Sequence, residues 1–342
     1  MRVFWKNTLP SKESRAEMSV SKANKPRWGI VSTVKANRRE LGDFLAHHLE
    51  LGADEIHIFL DNDAPRLLDT FSDTGRVFLH KTLDGFWDQI KGFRPKKHQT
   101  RQAWAANWLY HQNSNLDWLT HIDVDEFLYP ATSISQALDG LSDDINIAQI
   151  YASEAMVQER KSTLDPTLTY AKAHNKIRAQ DSTVFDTLFP TYWRYLRGGF
   201  LSHKEGKFFV RLGQPDFKID LHAISQGSKW LKWDTALEGV DLVHFHTPSR
   251  ARWKGRLNYR LEKGSYRPEI PNRGRVSDMS LSHHDFFTTL IKEGGEEALD
   301  HFFTEVCTAR PELIEGLRAH GLLATYPLAL TEKRLKYFPQ LT

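Results

Sequence analysis

Residues 120–130 read THIDVDEFLYP. Three acids, Asp123, Asp125 and Glu126, fall within four residues, with Trp118, Leu119 and Ile122 before them and Phe127, Leu128 and Tyr129 after. Flanks this apolar predict a buried strand, where a lone carboxylate is costly or stays protonated. Either a positive group sits on these acids, or the stretch is a solvated turn after a strand. DWLTHID (117–123) reads as a strand that ends in the cluster. On extended chain, residues two apart point to one face. Asp123 and Asp125 are then expected side by side, with Val124 turned into the packing. Oxygen ligands at that spacing suit a hard divalent cation.

Outward from the cluster, WGIVSTVK (28–35), EIHIFLD (55–61), RVFLHKT (76–82) and INIAQIYAS (145–153) read as strands. RRELGDFLAHHLELG (38–52) puts Leu41, Phe44, Leu45, His48 and Leu49 on one helical face, with Gly52 just past its end. KKHQTRQAWAANWLYHQ (96–112) predicts a second helix carrying Trp104 and Trp108. Strands alternating with helices predict an α/β fold with parallel strands. Ligands in such sheets bind beyond the carboxyl ends of the strands, where Asp61 and Asp123 fall.

Residues 155–200 read as irregular and polar. KFFVRLG (207–213), FKIDLHAI (217–224) and VDLVHFH (240–246) then read as strands, and the chain beyond Arg250 as mostly helical, with a boundary near 260. Lys207 and Arg211 share one strand face, as do His244 and His246. A lone histidine on an apolar strand is most often a core residue, but here two face one way before a basic helix. Arg250, Arg252, Lys254, Arg256 and Arg260 make that helix either a solvated basic face or a grip for diphosphate.

Net charge is +3, from 46 basic and 43 acidic residues. That balance argues against nucleic acid as a partner and fits weak affinity for anions or an anionic membrane face. Cys307, the single cysteine, excludes an intramolecular disulfide and a thiolate metal cluster. No run of 18 apolar residues exists, so no transmembrane helix is expected. Residues 1–27 are polar and basic, lack the apolar core of a secretory signal, and read as a poorly ordered leader. The expected location is cytoplasmic, at most peripheral to the inner face of the membrane. Absence of a GxxxxGK[ST] run excludes a P-loop enzyme.

HIDVDEFL resembles the Asp-x-Asp-Glu-Phe signature of bacterial glycosyltransferases of family 2 and the related family 92. The resemblance continues in order. AHHLELGADEIHIF (46–59) with Asp61-Asn62-Asp63 is similar to the family's opening, and HKEGKFFVRLG (203–213) to its Gly-Lys-x-x-x-Arg strand. LVHFHTPSRARWKGRLNYR (242–260) resembles its late histidine segment and basic helix. This covers residues 28–260 and leaves 261–342 uncovered.

The resemblance implies a GT-A fold: a Rossmann-like, mostly parallel central sheet flanked by helices, here with a helical C-terminal extension. It implies a metal-dependent glycosyltransferase that moves a sugar from a nucleotide-sugar donor to a glycan or lipid-linked acceptor, in surface or capsular polysaccharide synthesis. By the same likeness, Asp125 chelates Mn²⁺ or Mg²⁺ bridging two phosphates, with Asp123 at the metal through water or at the ribose. His244 is a third metal ligand or a pyrophosphate contact, with His246 in reserve. Asp61 reads nucleobase and ribose, and Lys35, Lys207 and Arg211 are further donor contacts. Glu126 holds the turn, and the role of His222 is open. The family's Arg-Asn-Glu after the first strand is replaced by Lys35-Ala36-Asn37. Inverting members need a base for the acceptor hydroxyl, and Glu154 and Glu205 are the candidates. The alternatives are a metal-dependent phosphoryl or nucleotidyl transferase and a non-catalytic carbohydrate-binding relative.

Overall fold

A computed structural model describes residues 25–35, 37–62, 65–71, 75–83, 85–112, 115–173, 182–196, 198–202, 206–270 and 281–341. The leader up to residue 24, Asp63 and Glu205 lie outside them. Strands β1 (Trp28–Val34), β2 (Glu55–Leu60), β3 (Val77–Lys81) and β4 (Trp118–His121) form a parallel block in the order β4-β1-β2-β3. Every residue of β1 is buried, because helices cover both faces of the block. Trp28, Ile30, Ile56 and Ile58 meet Leu41, Phe44, Leu45 and Leu49 of α1 (Arg38–Glu50). Beyond the short helices α2 (Pro65–Phe71) and α3 (Phe86–Lys91), Val31, Phe59 and Leu119, pointing the other way, meet Ala105, Ala106 and Leu109 of α4 (His98–Tyr110). Asn37 opens α1 in a reciprocal capping box with Glu40, and Gly52 follows the helix in the left-handed region.

Past β4 the sheet becomes mixed. Strand β8 (Lys207–Arg211) inserts antiparallel to both β4 and β6 (Ile147–Ala155). Strands β7 (Thr169–Ala173) and β13 (Leu323–Tyr326) extend that side antiparallel. Strand β12 (Thr235–His244) runs parallel to β6 and antiparallel to β5 (Glu126–Pro130), completing ten strands. The result is a mixed α/β sheet flanked by helices, consistent with a Rossmann-like arrangement in its parallel half.

FKIDLHAI, expected as one strand, is two. Asp220–Ala223 form a turn closed by Asp220 N–H on the Ala223 carbonyl (2.8 Å). Strands β9 (Phe217–Ile219), β10 (Ile224–Gln226) and β11 (Lys229–Leu231) make a small separate sheet against α4. Asn107 of α4 clamps both backbone groups of Ile219 (2.5 and 2.8 Å). The stretch 155–200, expected to be irregular, holds β7 and a short helix, Ser182–Leu188.

Among the described residues, the C-terminal stretch is mostly helical, with β13 within it. It comprises Arg250–Glu262, His283–Phe302 with a π turn at Phe303–Cys307, Pro311–Ala319 and Leu330–Tyr337. Arg334 of the last helix pairs with Asp43 of α1, and Lys336 and Tyr337 bind Glu50 (2.8 Å each). No helix among the described residues is long and apolar enough to cross a membrane.

Gly206 enters β8 with φ +65°, and a Cβ there would run into the Ile150 carbonyl. Gly206→Ala is expected to cost about 3 kcal/mol of stability. Gly213→Ala, equally left-handed but in open space, should cost about 1 kcal/mol. Urea unfolding of both variants measures the difference, and equal losses would mean that the close approach of Gly206 to β6 is not a constraint.

Candidate active site at the carboxyl edge of the sheet

Strand β4 stops at His121, and the acids lie in a tight turn rather than on extended chain. Glu126 N–H donates to the Asp123 carbonyl (3.0 Å), while Glu126 Oε2 accepts from Asp123 N–H (2.8 Å). Glu126 thus closes the turn, as its place in the motif implied. The extended chain expected to put Asp123 and Asp125 on one face is replaced by this turn, and the two carboxylates take different partners. Asp123 takes Lys207 Nζ (2.8 Å) on Oδ2 and the Gln102 amide on Oδ1. Asp125 interacts electrostatically with His244, and its carbonyl accepts from Phe245 N–H (2.8 Å). Among the described residues, no other residue donates a hydrogen bond to the Asp125 carboxylate.

The positive group on the acids is Lys207. It is 1% exposed, with its ammonium 2.8 Å from Asp123 and 3.3 Å from Glu126. Burial opposes that charge, but the two carboxylates hold the ammonium well above its ordinary range. Burial likewise opposes ionisation of Asp123, and the Lys207 charge outweighs it and holds the carboxyl well below the usual range. Fully buried Glu126 is pushed up to about 7 by desolvation, with Lys207 working against the shift and Asp123 with it. Its Oε1 has no hydrogen-bond partner among the described residues. Asp125 is also raised, by burial and by Asp123, against the pull of His244. Among the described residues, Lys207 forms ion pairs with Asp123 and Glu126, while Asp125 feels His244 and, more weakly, Arg260.

His121, two residues before Asp123, was not singled out in the sequence. It is 4% exposed, and neither ring nitrogen has a hydrogen-bond partner among the described residues. Burial, and then the Lys207 charge, push its imidazole down to about 3, so it is neutral at physiological pH. A polar residue in the otherwise apolar run WLTHI was the available signal.

Asp61 ends β2, as expected, but its carboxylate is already engaged. Arg101 grips it twice (2.6 and 2.5 Å), and Arg94 (2.8 Å) and His98 (2.9 Å) complete the shell. Burial resists the charge, yet His98 and Arg101 hold the carboxyl well below its usual range. What this corner presents outward is therefore basic: the Arg94 and His98 side chains are 42% and 34% exposed. Arg101 and Gln102 are neighbours on α4, so one helix secures both Asp61 and Asp123. Lys35 follows β1 between them and is exposed.

Glu154 is buried, and its oxygens accept from Lys172 (2.7 Å), Leu201 N–H (3.0 Å) and Ser202 N–H (2.5 Å). Burial would raise this carboxyl, but Lys172 and Ser202 lower it. Both of its oxygens are thus engaged by the protein itself, which points to a structural task rather than the base expected from the sequence. Arg211 is also corrected. Strand β8 runs antiparallel to β4, so Arg211 pairs with Trp118 at the opposite end, about 13 Å from Lys207 along the strand. There it binds the Ile145 carbonyl (2.9 Å).

His244 closes β12, in register with Glu126 on one side and Glu154 on the other. His246 is held by the Tyr266 hydroxyl (2.7 Å) and by Arg260 (3.1 Å), whose charge also acts on Asp125. Most cations of helix Arg250–Glu262 are paired: Arg250 and Lys254 with Asp300 (3.3 and 2.8 Å), and Arg252 with Glu40. Among the described residues, no three His, Cys, Asp or Glu side chains form a group able to hold a metal by themselves.

No family model and no curated protein matches this chain. Among solved structures, it is similar to the mannosyltransferase Ktr4p from S. cerevisiae at 12% identity and a TM-score of 0.25, over 40% of this chain and 41% of that one. A likeness at that level carries no argument about fold or activity.

The shifted Glu126 has a measurable consequence. Its folded value of about 7 lies above the ordinary 4.5, so the stability it contributes is full below about 4.5 and is lost as pH rises through 7. Glu126→Gln is expected to flatten the decline in unfolding free energy between pH 5 and 7. Lys207→Met, which strands buried acids, should cost about 3–5 kcal/mol at pH 8 and less at pH 5. Urea unfolding across pH measures both, and an unchanged slope in the Gln variant would contradict the assignment.

Proposed function

We propose that the chain is a glycosyltransferase that moves a sugar from a nucleotide-sugar donor to a glycan or lipid-linked acceptor, with Mn²⁺ or Mg²⁺ as cofactor. The observation that carries this reading is the gathering of three acids around one buried lysine at the carboxyl edge of the parallel block. Lys207 neutralises Asp123, leaving Asp125 and Glu126 both raised. The order of motifs resembling family 2 adds to it.

The residues fit a divalent ion that arrives with its diphosphate. Asp125 supplies a carboxylate not taken by a neighbouring side chain among the described residues, and His244 an imidazole beside it. Mg²⁺ in particular binds through one or two carboxylates plus substrate phosphates and waters. When bound, the ion offsets charge on the departing nucleoside diphosphate. The chain's own groups do the rest. Lys207 and Gln102 fix the Asp123 carboxylate, which orients the ribose side of the donor. Arg94 and His98, anchored on Asp61, offer donors to phosphate or ribose oxygens. Ile122, Phe127 and the sheet beneath keep water from the inner side of the cluster.

Asp125→Asn is expected to remove Mn²⁺-dependent binding of a nucleoside diphosphate and to lower transfer by about 100-fold or more, with the thermal midpoint unchanged. His244→Ala should weaken that binding more than His57→Ala, since His57 lies within β2 on Glu55 and His80 (3.0 Å each). Titration calorimetry and a donor-hydrolysis assay decide. An Asp125→Asn variant that turns over like wild type, or the reverse ranking of the histidines, would sink the reading.

A further inference from the structure

Strand β5 begins at Glu126, the residue that closes the acidic turn, and among the described residues it pairs with β12 alone. In an antiparallel pair, alternate residues turn their backbone groups away from the partner strand, and buried ones then need another partner. In β5 those alternate residues are Glu126, Leu128 and Pro130. Glu126 N–H is spent on the Asp123 carbonyl (3.0 Å), and a proline has no N–H. Fully buried Leu128 lies between them, and two consecutive histidines of α1 take both of its backbone groups. His47 Nε2 donates to the Leu128 carbonyl (2.7 Å), and Leu128 N–H donates to His48 Nε2 (3.3 Å).

The partners fix the protons. A carbonyl only accepts, so His47 carries its proton on Nε2, and its Nδ1 accepts from Lys333 Nζ (3.2 Å). His48 Nε2 must be bare to accept from Leu128, and its Nδ1–H donates to the Phe44 carbonyl (2.8 Å). The two rings are therefore neutral and in opposite tautomers. Burial, and then the Lys333 charge, push His47 down to about 4, against the Leu128 carbonyl and Glu50. Burial, and then His47, push His48 well below its ordinary range. Phe127 packs between the rings and β12, stacked on His48 (6.0 Å) and edge-on to His47 (5.4 Å).

Lys333 belongs to the last helix, Leu330–Tyr337, beyond the part of the chain that the family 2 resemblance covers. That helix lies close on α1, since a Cβ on Gly42 would run into Leu341 and Arg334. Contacts thus run unbroken from the C-terminal helix through α1 to the strand that carries Glu126. We infer that His47 and His48 are positioning residues for the acidic turn, standing in for a neighbouring strand beside Leu128, and that the C-terminal helix holds them through Lys333. The pair also covers a sheet edge that would otherwise be open.

Histidine-selective ¹⁵N NMR of the full chain reads the tautomers without any substitution. At pH 7 His47 should be protonated at Nε2 alone and His48 at Nδ1 alone. Amide hydrogen exchange reads the positioning. His47→Leu and His48→Leu each strand a buried backbone group, so exchange at Asp123, Glu126 and Leu128 should speed up about tenfold or more, with Ile30 and Ile56 unchanged. His47→Gln can still donate to the carbonyl and His48→Gln can still accept from the N–H, so both should keep most of the protection. Lys333→Met should speed the same amides by a smaller factor, and Lys336→Met, whose partner Glu50 is exposed, should not. The other tautomer in either ring, Leu variants that exchange like wild type, or faster exchange spread equally over β1 and β2 would overturn the inference. So would Gln variants no better protected than the Leu ones. One consequence rests on the transferase reading: the Leu variants should lose about tenfold in transfer at saturating donor, and the Gln variants less. Exchange as expected without transfer by wild type fails that reading alone. Transfer by wild type with unchanged exchange in the Leu variants fails the positioning alone.

Discussion

A single ammonium group makes the acidic turn possible. Three carboxylates close to one another in a water-poor place repel each other and lose hydration, and neither cost is recovered without a partner. Lys207 supplies it from a side chain that is itself buried, so neither partner is stable there alone. The fold serves this contact. Strand β8 must run against β4 for its first residue, and not its last, to reach the acids. Gly206 must take a left-handed conformation pressed against β6 for the strand to start where it does.

Around that contact the charges are arranged in pairs with different outcomes. Asp61 is saturated by two arginines and a histidine, so an acid becomes the root of a basic corner. Glu154 and Lys172 form a second buried pair. Lys172 also donates to the Gly199 and Val306 carbonyls (2.5 and 2.9 Å), fixing the chain beside the site to the C-terminal helices. At the Asp123–Glu126 turn three acids gather around one ion-paired lysine among the described residues. That gathering is what marks the place where a cation and an anionic ligand would be stabilised together.

Much of this was legible in residue order. The β1, β2 and β3 strands, the α1 and α4 helices and the left-handed Gly52 follow from periodicity and capping, which are local. The location of Asp61 and Asp123 at strand ends followed from the same pattern. The turn at Asp123–Glu126 was misread as extended, since its apolar flanks suit either conformation. Arg211 was misplaced because a four-residue spacing on one strand face says nothing of which end meets the neighbour's carboxyl edge. Glu154 looked free because its partner Lys172 lay in a stretch without a readable pattern.

Residue order carries the α/β class, the parallel opening of the sheet and the acidic edge, because hydrophobic period and helix punctuation act over a few residues. Tertiary structure alone decided which cation meets the acids, which carboxylate is left without one, and which acids are merely structural. Those outcomes depend on strand direction and on contacts between residues 84 apart, as for Asp123 and Lys207. Coulomb energy at short range is set by such placement and not by composition.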